Sequence, residues 1–150
     1  MKTSKAELHQ SIVKLITDSI AQATTDYRLA KESRDSDTKS SAGDKFETGR
    51  EMMQSEMNKI SASIDQYKNQ LYLLVKIDLN LSYQVGDLGC LINTDQTNYF
   101  LSIGLGKVEI KGENIMVISL DSPIGQLLKG KRAGDTVEFR GKTLKINQIS

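Results

Sequence analysis

Along the first half of the chain, apolar side chains return at alternating steps of three and four. After Ala6 come Val13, Ile16, Ile20, Ala23, Tyr27 and Ala30, and the rhythm resumes through Met53, Met57, Ile60, Ile64, Tyr67, Leu71 and Leu74. The mean step of about 3.5 is the period of a coiled-coil seam. Lys, Glu, Asp, Gln and Ser fill the positions between, and neither segment contains proline. The pattern predicts two amphipathic helices, the second from about 44 to about 76 and roughly 50 Å long at a rise of about 1.5 Å per residue. A helix with one apolar stripe is marginal in water. Two of similar length, joined by a short connection, can bury their stripes on each other as an antiparallel hairpin.

The connection is unusual. "RDSDTKSSAGDKFETGRE", residues 34 to 51, gathers Asp35, Asp37, Asp44 and Glu47 in a small, polar stretch. Two readings stand. A loop can re-aim side chains, so Asp37 and Asp44 could form a pair across the turn. Alternatively these are residues that suit helix ends. Asp44 and Glu47 are favourable at the positive end of the second helix, and Ser40 and Ser41 offer caps.

Near residue 78 the period changes. The remainder holds nine of the eleven glycines and the single proline. Short β-rich runs alternate with turn signals: "CLIN", "NYFLSI", "KVEI", "NIMVISL", "TVEF" and "LKINQI", with "KGEN" and "FRGKTL" as hairpin turns. "SPIGQLLKG" differs. Ser122 caps, Pro123 suits the first helical position, and Gly130 closes a short helix. The expectation is an α+β fold: a coiled-coil hairpin over 1–77, then an antiparallel sheet with one short helix over 78–150. The expected core of the second part is Val85, Leu91, Ile92, Leu101, Ile103, Val117, Ile118, Val137, Phe139, Leu144 and Ile146. Tyr99 and Phe100 are expected to place one ring inside and one outside.

Composition narrows the function classes. A formal net charge of +1 argues against non-specific binding to duplex nucleic acid, which needs a basic surface. No run of about 18 apolar residues predicts a membrane span, and "MKTSKAELHQ" lacks the apolar stretch of a signal peptide, so a cytoplasmic protein is expected. The single His9 and single Cys90 exclude a Cys/His metal cluster and an internal disulfide. Cys90 reads as a small buried hydrophobe, and Met53 and Met57 as seam residues.

One stretch carries a family likeness. "SPIGQLLKGKRAGDTVEF…GKTLKINQI" resembles the C-terminal domain of Gre-type transcript-cleavage factors, with Ser-Pro-Ile, Leu-Leu, Gly-Lys and Gly-Asp in order. "DKFETGREM" is similar to the stretch that begins their second coil helix, an aromatic, three intervening residues, then Arg-Glu. The resemblance implies an FKBP-like domain that docks at the rim of the secondary channel of bacterial RNA polymerase. It also implies a stiff hairpin that carries two tip carboxylates to the polymerase active site. There they help to hold a Mg²⁺ ion and a water, and the polymerase hydrolyses backtracked transcript. The implied chain is a monomer with no cofactor and no turnover of its own; the Mg²⁺ belongs to the polymerase, and nascent RNA is met only indirectly. Asp121, Ser122 and Pro123 sit where the family presents a docking loop. Lys129, Lys131 and Arg132 form a small basic cluster, and Arg28, Lys31 and Arg34 lie near the tip, where phosphates would pass.

At the tip the match is partial. Aligning Phe46, Arg50 and Glu51 with the family pattern puts Lys39 and Ala42 where its two acids stand. Asp37 and Asp44 are the candidates that remain, with Asp35 and Glu47 beside them. Three rivals follow: a secondary-channel regulator without cleavage chemistry, a dimerising coiled coil with an appended sheet, and a peptidyl-prolyl isomerase. The last needs an aromatic-lined pocket, and only Tyr83, Tyr99, Phe100 and Phe139 are available for one.

Overall fold

The computed structural model describes residues 3–36 and 43–150, with the backbone alone for 43–46. Helix α1 runs Lys5–Ser36 and α2 runs Gly43–Val75. Six strands and a short helix follow: β1 Leu91–Thr94, β2 Asn98–Leu101, β3 Gly106–Ile110, β4 Glu113–Ile118, α3 Pro123–Leu128, β5 Thr136–Phe139 and β6 Lys142–Ile149. The fold is α+β. The chain forms two compact units, Ile12–Tyr72 and a second made of Met1–Ser11 with Leu73–Ser150.

In the helical unit, α1 and α2 lie antiparallel. Ser19, Ala23 and Asp26 share a shallow cleft with Ile60, Ser63 and Tyr67, while Arg34 reaches Gln54. Ile12, Ile16, Ala30 and Met57 are buried. Val13, Ile20, Ala23, Tyr27, Met53, Ile60, Ile64, Tyr67 and Leu71 are half-buried. The predicted stripes therefore do meet, although most of each stays partly wet, because two helices alone cover only one side of each other. The sequence reading missed Ile12 at this seam. The outer faces carry i,i+4 ion pairs, Lys14–Asp18 at 2.7 Å and Arg28–Glu32 at 2.9 Å. Both are exposed and run base-before-acid, the weaker orientation, so each adds only a few tenths of a kcal/mol.

The second unit begins at a helix start that matches its local sequence. Ser4 accepts a hydrogen bond from the Glu7 amide at 3.1 Å, as a capping residue does. Thr3 donates to the Ile110 carbonyl at 3.4 Å, and Glu7 pairs with Lys111. His9 donates from Nε2 to the Leu74 carbonyl at 2.7 Å, which ties the beginning of α1 to the end of α2.

The sheet order is β3-β4-β2-β1-β6-β5. It is mixed, where an all-antiparallel sheet was expected: β2 and β4 run parallel, Phe100 beside Val117. The reason is local. Residues 102–105 carry the chain from β2 past the end of β4, with the Ser102 amide on the Ile118 carbonyl (2.8 Å) and the Leu105 amide on the Val117 carbonyl (3.1 Å). Strand β3 then forms the return, and a hairpin brings β4 back beside β2. A crossover that parallel pairing normally gives to a helix is here made by a strand.

Both faces of this short sheet are covered. One face packs Ile92, Tyr99, Leu101, Ile118, Leu144 and Ile146 against Ile124 and Leu128 of α3, with Cys90 and Val137 in the same cluster. Along β2 the side chains alternate, so Phe100 belongs to the opposite face with its register partners Leu91 and Val117. These three are also buried, as are Val108, Ile115, Leu8, Leu74 and Ile77. Tyr99 and Phe100 are therefore both inside, which corrects the one-in, one-out expectation. Val85 and Phe139, expected in the core, are only half-buried.

Both predicted hairpin turns form. Lys111–Gly112 and Arg140–Gly141 have positive φ at both residues, 52° and 77° in the first and 50° and 77° in the second. That is the two-residue turn whose twist suits antiparallel strands. Two glycines give contrasting tests. A Cβ at Gly141 meets nothing within 4 Å, so only the left-handed backbone objects. Gly141→Ala should cost about 1–2 kcal/mol in a urea titration. At Gly125 of α3 a Cβ would lie 2.1 Å from the Ser119 carbonyl oxygen. Gly125→Ala should cost about 3 kcal/mol by the same measurement, because backbone has to move.

Candidate functional site

Two places carry the candidate residues. The first is the end of the helical unit where α1 and α2 are joined. Asp37, Lys39 and Ala42 lie outside the described residues. Asp44 is the second residue of α2, in the turn where a carboxylate is favourable, and its side chain is likewise outside the described part. Glu47, further along α2, is exposed. Asp35 is exposed near the end of α1, and its Oδ1 receives hydrogen bonds from Arg34, at 3.1 Å from Nε and 3.0 Å from Nη2. Arg34 also donates from Nη1 to Gln54 Oε1 of α2 at 2.7 Å, and Gln54 donates to Asn58 at 3.0 Å. Of the four tip acids, the described residues thus place Asp35 in an ion pair and Glu47 in solvent. Among them no group of three or more His, Cys, Asp or Glu is arranged to hold a metal ion.

The basic residues near this end divide in the same way. Arg34 is turned inward and engaged by Asp35 and Gln54, whereas Arg28 makes one exposed ion pair with Glu32 and stays largely in solvent. Lys31 is exposed.

The second place is the loop leading into α3. Ser122 Oγ donates to the Ser119 carbonyl at 2.7 Å and accepts from the Gly125 amide at 3.1 Å. Both capacities of the hydroxyl are used within the turn, so its part is to shape the loop. Asp121 and Pro123 are left exposed on either side of it, with Leu127 one helical turn on and 37% exposed. Sequence reasoning had not marked Leu127 as a surface residue; its place opposite Leu128 on a one-and-a-half-turn helix was the available signal. After α3, Lys129 and Arg132 are exposed and Lys131 is half-buried. Asp135 holds this segment, its Oδ2 accepting from the Arg132 amide at 2.8 Å. The Gly134 amide binds the Ile146 carbonyl at 2.8 Å. The Gly-Asp pair thus ties the basic loop to β6.

Of the four rings near the sheet, Tyr83 lines an open cleft with Leu79, Leu81 and Ile149. Tyr99 and Phe100 are sealed in the core. Phe139 carries the Arg140 guanidinium over its ring at 4.9 Å. Tyr83 lies under the Lys5 ammonium at 4.6 Å and donates to the Leu88 carbonyl at 2.8 Å. These contacts use the rings that a proline-peptide site would need.

Comparison with known proteins is sparse. No family model and no curated protein matches the chain. Among solved structures, that of the transcription factor Gfh1 is similar over 91% of this chain and 92% of that chain, at 19% identity and a TM-score of 0.38. No helix among the described residues is long and apolar enough to cross a membrane.

Cys90 is buried, and its pKa is pushed up first by that burial. The thiolate is the reactive form, so raising the pKa lowers reactivity at any pH below it. Labelling by a disulfide reagent at pH 8 should be slow in the folded protein and become fast only as denaturant opens the sheet.

Proposed function

We propose that this chain is a Gre-like factor that binds bacterial RNA polymerase and acts on it through the secondary channel. The observation that carries this reading is the run 122–139. Its Ser-Pro cap, Gly-Lys stop and Gly-Asp turn follow the family pattern in the sequence. Each also has a defined part in presenting one exposed loop: Ser122 shapes it, Pro123 starts α3, and Asp135 anchors the segment after it. Asp121, Pro123 and Leu127 then offer a charge beside two apolar groups, a combination suited to a protein surface. Two helices of 32 and 33 residues supply a reach of about 50 Å at about 1.5 Å per residue, as channel entry requires.

On this reading the tip acids, Asp37 with Asp44 first among them, supply carboxylate oxygens to a Mg²⁺ that the polymerase brings. Oxygen donors are what that ion prefers. The chain itself has no turnover, and it works as a monomer.

A second reading keeps the docking and omits cleavage. It is favoured by Lys39 and Ala42 standing at the family's acid positions, and by the engagement of Asp35 with Arg34. The factor would then obstruct or reshape the channel.

Two measurements test these readings. A pull-down with bacterial RNA polymerase should retain the wild-type chain, and Asp121→Lys with Pro123→Ala should weaken retention about tenfold. No retention of the wild type would remove both readings. In stalled elongation complexes, Asp37→Ala with Asp44→Ala should reduce transcript cleavage at least about 100-fold while leaving retention intact, given the size of a lost charge-stabilising group. Wild-type protein that binds without stimulating any cleavage would select the second reading.

A further inference from the structure

Arg34 stands at a position where the helical seam ought to be apolar. The rhythm of Val13, Ile16, Ile20, Ala23, Tyr27 and Ala30 places its next step, four residues on, at Arg34. The side chain is accordingly turned inward, with 19% of its surface exposed, whereas those of Arg28 and Asp35 are 61% and 52% exposed. There the guanidinium joins two side chains. It holds Asp35 on its own helix and Gln54 on α2, and Gln54 is itself fixed by Asn58 one turn along. Two residues later α1 ends, at Ser36.

We infer that Arg34 is the positioning residue of this end of the hairpin, setting the register of α1 against α2 where the chain leaves for the acidic connection. Apolar contacts at the seam are tolerant of sliding and rotation, because one methylene packs much like another. A planar fork of donors is not tolerant, since it meets its acceptors in only one register. A polar group at a seam position specifies alignment at some cost in stability, the trade long known from paired helices. The need is greatest here. Ala30 is the last buried side chain of α1 among the described residues, so beyond it apolar packing no longer fixes how the helices face each other. The inference deepens the proposed function and rests on it only in that this end of the hairpin is there read as the working end.

The test uses the full-length chain. Arg34→Gln removes the fork, and Arg34→Gln combined with Gln54→Arg restores it from the opposite helix. Hydrogen exchange should show a roughly tenfold loss of protection for amides 30–36 and 50–56 in the single variant, the scale of one charge-assisted hydrogen bond. The swapped pair should recover most of it, and the sheet amides should be unaffected in both. Unchanged exchange in Arg34→Gln, or no recovery in the swapped pair, would overturn the inference. The same variants are then assayed on stalled elongation complexes, where the single variant should lower the maximal effect and leave the half-saturating concentration unchanged. If exchange responds as expected and the effect on transcription does not, the register role of Arg34 stands and the reading of this end as the working end falls.

Discussion

A single apolar stripe on a long helix is not enough to keep that helix folded in water, and α1 and α2 exist because each covers the stripe of the other. Everything in the helical unit follows from this pairing. With the short connection between them the two segments run antiparallel, and the pairing leaves the outer faces to charged and hydroxyl side chains and limits the core to one line of contact. Since two helices have only two facing sides, most seam residues remain half-wet. Ile12, Ile16 and Met57 carry the dry part. Thr17, Ser19, Thr24 and Thr25 turn their hydroxyls onto carbonyls four residues back, so even the polar face is occupied locally.

The second unit solves a different problem. A sheet of four- to eight-residue strands cannot bury much on one face, and here it buries both. Helix α3 seals one face. The other carries Leu91, Phe100 and Val117, and the root residues Leu8, Leu74 and Ile77 are inside the same unit. Hydrogen bonds and an ion pair at Thr3, Glu7 and His9 hold those roots. The long helices thus serve two purposes with different parts of their length: they form the seam along most of it, and at their roots they are tied to the sheet unit through Glu7 with Lys111 and through His9 with Leu74.

The candidate functional residues divide by what they already do. Ser122 is consumed by its cap, Asp135 by its turn, Arg34 by its bridge, and Cys90 and Tyr99 by the core. Asp121, Pro123, Glu47 and Lys31 are presented to solvent. In the Ser-Pro-Ile stretch the cap at Ser122 determines where its exposed neighbours Asp121 and Pro123 sit.

Much of the architecture was decided by the chain alone. Periodicity marked both long helices because helical burial repeats every three to four residues along the sequence itself. Turn residues marked both hairpins because a left-handed backbone is cheap only at glycine and tolerable beside it. Ser122, Pro123 and Gly130 marked α3 for similarly local reasons. What only the tertiary structure decided were the non-local matters. The parallel pairing of β2 with β4 depends on where β3 is laid, and no residue near either strand records that. The double burial of Tyr99 and Phe100 needs a cover on each face of the sheet, and for Tyr99 that cover includes Ile124 and Leu128, more than twenty residues further along the chain. The inward turn of Arg34 depends on Gln54 arriving from the facing helix. Local steric preferences are written residue by residue, whereas a partner's position exists only once the chain has folded back on itself.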